Sequence, residues 1–256
     1  MKTYPRKSQL HDKSRIIYGL RAIGEYLESQ PGNIEVIYAS LKHKDKELLR
    51  RAQKAAIDVK YQPDSFFSRP EVGAVVHQGL MARLRPFKYC SLEALLTPEA
   101  ECILVLDEIV DPRNLGALLR SAESCRVDGV ILTNRRSAKI SPAAEKAAAG
   151  AAAYLRVCRV ENLKQALNAL KSAGFWVFGL TASANQSVFD MDLKGKAAFV
   201  LGGEERGLRR LVEETCDHLI SIPMLGKLES LNVSVAGAIV IFERVRQRGD
   251  WRKDIL

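Results

Sequence analysis

The second half of the chain alternates short apolar runs with helical segments, and this alternation restricts the possible folds more than any other feature. The runs CILVLD, GVILT, FWVFGLT and AAFVLGG have the length of buried strands, and segments such as NLKQALNALKSAG between them have helical periodicity. Strands that alternate with helices predict a mostly parallel α/β sheet with helices on both faces. Such sheets bind ligands at the carboxyl ends of their strands, so the residues that follow each apolar run are candidates for function.

The first half carries a smaller pattern. Residues 1–13 are polar and basic, which is typical of a flexible tail. The segment RIIYGLRAIGEYLES predicts a helix that starts at Arg15, IEVIYAS, IDVKYQ and GAVVHQGLMARL read as extended segments, and KDKELLRRAQKAA reads as a basic amphipathic helix. We therefore expect a small α/β domain at residues 14–85, a linker at 86–99 and a larger α/β domain at 100–256.

Charge and composition narrow the classes of function. The net charge is +9, from 39 Lys and Arg against 30 Asp and Glu, and such an excess favours nucleic acid as a partner, with a merely solvated basic surface as the alternative. The five cysteines form no CxxC pair, and no histidine stands at metal-ligand spacing, so we expect no metal and a reducing cytoplasm. The chain starts without an apolar secretory segment, and no apolar run reaches membrane-spanning length.

The first segment with candidate chemistry is DEIVDPRNLGALLRSAE. Asp111 and Pro112 predict a capped helix start, which places Asn114 in the first turn, where free backbone N–H groups can bind an anion. Arg120 falls about two turns later and close to the opposite side, so either it faces a groove or the helix starts later. A helix cap with a surface arginine is the alternative, and periodicity alone favours that alternative.

The second segment is LGGEERG, which directly follows an apolar run. Its glycines around Glu204 predict a loop that approaches a ligand closely. A nicotinamide-binding loop would follow the first strand of its unit and carry an acidic residue about twenty positions later. Here the loop follows a late strand and Ile222 stands at that position, so an oxidoreductase is disfavoured.

The third segment joins ISIPM to LESLNVSVA. Ser230 and Asn232 stand at the start of the last helix, expected at about Asn232 to Arg248, where small polar residues are good caps. Capping alone explains them as well as function does. Leu231 between them would suit the apolar wall of a pocket for an adenine ring.

Together the three segments resemble the SpoU/TrmH class of the SPOUT methyltransferases. DPRNLGALLRSAE, VLGGEERGL with ISIPM, and SLNVSVA stand in the order of the family's three motifs, across roughly residues 103–248. IIYGLRAI and GAVVHQGLMAR resemble the amino-terminal RNA-binding domain of the family's large-subunit ribosomal RNA guanosine methyltransferases. One departure is Glu205-Arg206, where relatives often have a smaller residue after the first glutamate.

The resemblance implies an S-adenosylmethionine-dependent enzyme with a carboxyl-terminal trefoil knot, working as a homodimer with its active site at the subunit interface. By matched position, the reaction site would be lined by Asn114, Arg120, Glu204, Ser230 and Asn232. The cofactor would be held, largely through backbone atoms, by Thr181, Leu201, Gly202, Gly207, Ile222, Met224, Leu231 and Ser234.

The implied reaction is methyl transfer to a ribose 2′-hydroxyl of RNA, and the amino-terminal resemblance favours ribosomal RNA. Transfer RNA is the nearest alternative substrate, and a non-catalytic RNA-binding or assembly factor is an alternative of another class. An arginine is a poor base because its pKa exceeds about 12. We therefore expect Arg120 to bind a phosphate and stabilise the developing alkoxide, while Asn114 and Glu204 orient the groups around it.

Overall fold

The computed structural model describes residues 15–42, 46–68 and 77–249, apart from the side chain of Lys46. The tail expected at residues 1–13 lies outside them. The chain divides into two compact units. The first comprises Met1–Lys88 and Ile140–Tyr154, and the second comprises Tyr89–Lys139 and Leu155–Leu256. The first unit is thus built from two separate stretches of chain.

The first unit contains a four-stranded sheet with the order β1-β4-β2-β3, in which β4 is antiparallel to both neighbours and β2 is parallel to β3. Its strands are β1 (Arg15–Tyr18), β2 (Ile34–Ser40), β3 (Asp58–Gln62) and β4 (Leu80–Leu84). Its helices are α1 (Gly19–Ser29), α2 (Lys46–Lys54), α3 (Asp64–Phe67) and α5 (Pro142–Ala148). Apolar side chains of α1, α2 and the sheet form one core, which also includes Ala153.

The prediction that a helix starts at Arg15 was wrong for its first four residues. Arg15–Tyr18 is a strand that pairs antiparallel with β4, and the helix begins only at Gly19. The two adjacent β-branched isoleucines suit a strand, and alternate residues of this strand are buried. Helical periodicity could not detect the strand, because its pairing partner lies far along the chain.

A buried ion pair links β1 to α5 within the first unit. Arg15 Nε donates to Glu145 Oε1 at 2.9 Å, and both side chains are buried. The Tyr26 hydroxyl also donates to this carboxylate, at 3.1 and 3.2 Å. Burial, and then the adjacent Glu145 carboxylate, raise the pKa of Tyr26 far above its usual value, so the hydroxyl stays a donor. Removing either charge would leave the other buried without its partner.

The second unit contains a seven-stranded sheet with the order β7-β6-β5-β10-β8-β11-β9, in which every pairing between the described strands is parallel. Its strands are β5 (Cys102–Asp107), β6 (Gly129–Thr133), β7 (Val157–Val160), β8 (Trp176–Leu180), β9 (Gln186–Ser187), β10 (Ala197–Gly202) and β11 (His218–Ser221). Its helices are α4 (Pro112–Ser124), α6 (Leu163–Ser172), α7 (Arg210–Glu213) and α8 (Val233–Arg248). The predicted parallel α/β architecture is confirmed.

Alternate residues of the central strand β10 contact different helices. Val200 packs in a core with Leu167 of α6 and Val212 of α7. Leu201 lies against α8, where a Cβ on Gly237 would come within 2.6 Å of Leu201 Cδ1 and 2.5 Å of Leu118 Cδ2 of α4. Glycine at position 237 therefore lets α8 pack closely against the sheet and α4, which fixes the position of the start of α8.

The helix caps predicted around the motifs are present. The Asp111 carboxylate accepts a hydrogen bond from the backbone N–H of Arg113 at 2.8 Å, and Pro112 is the first residue of α4. The guanidinium of Arg113 lowers the pKa of Asp111, which keeps the cap ionised. Asn232 caps α8 by accepting from the backbone N–H of Ser234 at 2.9 Å.

Candidate active site

The first two motif segments leave the sheet side by side. Asp107 and Gly202 are register partners at the ends of the neighbouring parallel strands β5 and β10, so the segments after them start at the same edge. The third segment follows β11, which lies beyond β8 on the same side of β10. All three candidate segments are therefore at the carboxyl edge of one sheet, where ligands are expected.

A chain of side-chain hydrogen bonds connects the three segments. Asn114 Nδ2 donates to Glu204 Oε1 at 2.8 Å, and Asn232 Nδ2 donates to Asn114 Oδ1 at 3.1 Å. Asn232 Oδ1 in turn accepts from the Ser234 hydroxyl at 2.6 Å. Both ends of the Asn114 amide are thus held by groups from the other two segments. Three of the residues predicted to line the reaction site lie together.

The glycine loop after β10 closes on itself. Gly207 N donates to Gly203 O at 2.9 Å, and a Cβ on Gly202 would lie 2.0 Å from the Gly207 carbonyl carbon. Any side chain at position 202 would collide with this backbone, so glycine is required by the close approach. The tight closure presents the Glu204 side chain toward Asn114.

A cavity of about 430 Å³ lies beside this loop, within the usual range for a small-molecule site. Most of the predicted cofactor residues line it, namely Thr181, Leu201, Gly202, Gly207, Ile222, Met224 and Leu231. Glu204, Ser230 and Asn232 of the predicted reaction site also line it. Asn114, Arg120 and Ser234 are not among its lining residues. The cavity and the hydrogen-bonded side chains therefore adjoin through Glu204 and Asn232.

Arg120 stands apart from this network. The helix begins at Pro112, which excludes a later start, and six residues of helix separate Arg120 from Asn114 by about 9 Å along the axis. Its side chain is exposed, and within the described residues it has no hydrogen bond or ion pair. The guanidinium is available to an anion from outside this chain.

Sequence reasoning missed an ion pair beneath the glycine loop. Asp107 is fully buried, and Arg209 donates to it from Nε at 3.1 Å, with Nη2 at 2.7 Å from the other carboxylate oxygen. The hydrogen bond to Asp107 raises the pKa of Arg209. A charged residue that ends an otherwise apolar strand was the available signal, since a buried carboxylate requires a partner.

Other titratable groups serve packing. His77 Nδ1 accepts from the backbone N–H of Gly79 at 3.0 Å, and its ring stacks on Phe67, so this histidine has a structural role in the first unit. Burial raises the pKa of the Cys102 and Cys216 thiols to about 12. In the part of the chain that the structure describes, no group of three or more His, Cys, Asp or Glu could hold a metal ion. No described helix combines the length and apolar character needed to span a bilayer.

Comparison with known proteins gives consistent matches. Residues 101–242 match the model of the SpoU rRNA Methylase family, and residues 16–90 match the model for RNA 2′-O ribose methyltransferase substrate binding. The 23S rRNA (guanosine-2′-O-)-methyltransferase RlmB of Photorhabdus laumondii is 38% identical over 92% of this chain and 99% of its own. The protein of that name in Escherichia coli K12 is 37% identical over the same shares.

A solved structure has the same fold across both units. The SpoU methyltransferase AviRb from Streptomyces viridochromogenes, in complex with AdoMet, superposes with a TM-score of 0.78 at 21% identity. The superposition covers 96% of this chain and 94% of that one.

Proposed function

The chain belongs to the SpoU rRNA methylase family, and on that premise we propose that it transfers a methyl group from S-adenosylmethionine to a ribose 2′-hydroxyl of large-subunit ribosomal RNA, at a guanosine. One observation carries the proposal. Asn114, Glu204 and Asn232, from three distant motif segments, are hydrogen-bonded to one another beside a cavity of about 430 Å³. An RNA-binding factor without catalysis would not need that convergence.

The cavity suits S-adenosylmethionine in size and chemistry. Leu201, Ile222 and Leu231 supply apolar walls for an adenine ring, and the glycine backbone can approach a ligand closely. Glu205 and Glu229 also line the cavity, and their negative charge suits a cationic ligand. When bound, the cofactor supplies an electrophilic methyl group. The chain's own residues bind and orient the ligand in the cavity.

The polar residues divide the remaining work. Asn114, held at both ends of its amide, orients the ribose, and Glu204 fixes that amide from the glycine loop. Arg120 binds a phosphate of the RNA, because its fixed fork of donors matches phosphate geometry. Since about 9 Å of helix separates it from Asn114 of its own chain, it would stabilise the developing alkoxide in the active site of the second subunit of the proposed homodimer. Alignment of this kind can supply several kcal/mol of the barrier reduction. Replacing Arg120 with Lys tests the role, since near-normal turnover with unchanged RNA affinity contradicts it.

We further propose that the protein acts as a homodimer through α8, with each active site at the subunit interface. Val235, Ile239 and Phe242 follow helical spacing along one side of α8, and Val235 and Phe242 are about half exposed. A continuous apolar stripe on a long helix favours a partner surface. An interface there would also bring a second chain close to the start of α8. The knotted threading of the carboxyl-terminal segment stays a prediction.

The first unit selects the RNA in this proposal. Its match to a substrate-binding model supports a role in holding RNA. The near full-length similarity to two ribosomal RNA methyltransferases supports ribosomal RNA over transfer RNA. The first unit's exposed basic residues on α2, including Arg50 and Arg51, suit a phosphate backbone. An enzyme for ribosomal RNA would work in the cytoplasm.

The proposal is tested by methyl transfer in vitro. The protein is incubated with labelled S-adenosylmethionine and unmodified transcripts of large-subunit ribosomal RNA or transfer RNA, and 2′-O-methyl sites are then mapped. We expect label at one guanosine ribose of the ribosomal transcript. Label in transfer RNA alone would assign the alternative substrate. Cofactor and RNA binding without transfer to either transcript would instead indicate a non-catalytic factor.

A further inference from the structure

A basic loop follows β6 at the same edge of the sheet as the candidate active site. The loop comprises residues 134–139, with the sequence NRRSAK, and Arg135, Arg136 and Lys139 are exposed. None of these three residues is needed by the cavity or by the hydrogen bonds around Asn114. The loop therefore carries positive charge that has no role in cofactor binding or in the hydrogen bonds around Asn114.

The basic loop is held in one shape by its own contacts. The Thr133 and Ser137 hydroxyls are 2.5 Å apart, and Arg159 Nη2 donates to Asn134 O at 2.6 Å. The Asn134 side-chain amide donates to the Glu161 carboxylate at 2.7 Å, so Asn134 occupies a carboxylate that lies next to the basic loop. Because the backbone of the loop is already fixed, a ligand that binds its exposed side chains causes little further loss of backbone entropy.

The basic loop is also joined to the segment that leads into α4. Ala138 N donates to Ile109 O at 2.8 Å, just before the helix that carries Asn114. Arg136 lies 3.9 Å from Glu108, and these two non-glycine residues have φ values of 50° and 58°. Residues in this left-handed region are strained and are concentrated at functional sites. The contacts to Ile109 and Glu108 hold the loop in this conformation against the active-site segment.

Two cations of the basic loop lack an acidic partner. Arg135 and Lys139 form no ion pair or side-chain hydrogen bond within the described residues. Arg113, on the neighbouring segment, differs because it is paired with Asp111 at 2.9 Å. Unpaired, exposed cations on a rigid loop suit a polyanion better than a single carboxylate ligand.

The strand order fixes the distance between the basic loop and the cavity. β6 is next to β5 and two strands from β10, on the side away from β8 and β11. With strands about 4.8 Å apart, the loop begins about 10 Å from the glycine loop. A nucleotide placed at Asn114 would therefore have its flanking phosphates within reach of Arg135 and Lys139, on the side away from the cofactor.

We propose that the basic loop is a phosphate-binding surface of the second unit. Through Arg135 and Lys139, this surface holds the RNA strand that flanks the methylated ribose. This inference rests on the proposed function. It gives the second unit its own contact with RNA, separate from that of the first unit. Each phosphate contact contributes about 0.7 to the slope of log affinity against log salt for single-stranded nucleic acid.

The test is the salt dependence of RNA binding. The double variant Arg135→Gln and Lys139→Gln is titrated with an unmodified transcript of large-subunit ribosomal RNA at several salt concentrations. Loss of two contacts reduces the magnitude of the slope by about 1.4, which corresponds to about 25-fold weaker binding at about 0.1 M salt. The affinity for S-adenosylmethionine and the Tm stay unchanged, because both side chains are exposed.

The matched control is the double variant Arg126→Gln and Lys194→Gln. These residues are exposed and immediately precede the β6 and β10 regions, at the opposite edge of the sheet, and their loss changes the net charge equally. We expect its slope to stay close to that of the unaltered protein. Equal slopes for the two double variants would overturn the inference. If the unaltered protein methylates no RNA, the proposed function fails, and this inference fails with it.

Discussion

Replacing Arg209 with Met should destabilise the second unit by leaving a buried charge without its partner. Asp107 is 0% exposed, whereas the Arg209 side chain is 45% exposed. Breaking a fully buried ion pair costs about 3–5 kcal/mol. Solvent already screens Arg209 and can enter when it is removed, so we expect about 2 kcal/mol. For a chain of this size that loss lowers the Tm by about 4–8 °C.

The same change should weaken cofactor binding, because Arg209 follows directly after the loop that forms the cavity wall. A tenfold rise in the Kd for S-adenosylmethionine corresponds to about 1.4 kcal/mol, which is within the expected loss. Thermal unfolding and calorimetric titration measure the two effects separately. Arg210→Met is the matched control, since the Arg210 side chain is 89% exposed and pairs only with the exposed Glu214 within the described residues. Its Tm should change by no more than about 1–2 °C.

The double variant Asp107→Asn with Arg209→Met decides whether the charge is the cause. Asn at position 107 removes the unpaired charge, so the double variant should be more stable than Arg209→Met alone. If Arg209→Met unfolds at the same temperature as Arg210→Met, the buried pair has no energetic role. A double variant no more stable than the single one would attribute the loss to packing of the arginine stem.

Two further substitutions and one labelling experiment test other parts of the structure. Gly202→Ala should abolish S-adenosylmethionine binding in a titration, because the added Cβ would lie 2.0 Å from the Gly207 carbonyl carbon, and retained affinity would contradict the closed loop. Glu145→Gln should lower the free energy of unfolding by about 3 kcal/mol in urea, because it leaves Arg15 buried and unpaired, and an unchanged midpoint would argue against the ion pair. Native thiols should react slowly with Ellman's reagent at pH 8, since burial raises the pKa of Cys102 and Cys125 to about 12, and rapid labelling before unfolding would show that they are accessible.

Local features of the fold were predictable from the sequence because their causes are local. The cap at Asp111 followed by Pro112 specifies the start of α4 within three residues. The apolar runs at β5 and β10 are buried on both faces, and such runs are typical of a parallel sheet covered by helices.

The juxtapositions that make the site were not predictable from periodicity. Asn114 and Glu204 are 90 positions apart, and Asp107 and Arg209 are 102 apart. Each contact depends on which strands become neighbours and on their register. Local sequence propensity specifies neither the strand order nor the register. The prediction of a helix from Arg15 was wrong for the same reason, because the strand there pairs with β4, which is distant in sequence. Resemblance to a family supplied the motif residues, while the Asp107 pair was visible only in the structure.

The division of the first unit into two stretches has a consequence for synthesis. The chain passes between the units after Lys88, after Lys139 and after Tyr154. Domains usually fold as they emerge from the ribosome, but a nascent chain that ends at Lys88 still lacks Glu145, the counter-ion of Arg15. This buried ion pair can therefore form only after the chain has reached α5, by which time β5 and β6 have already been made.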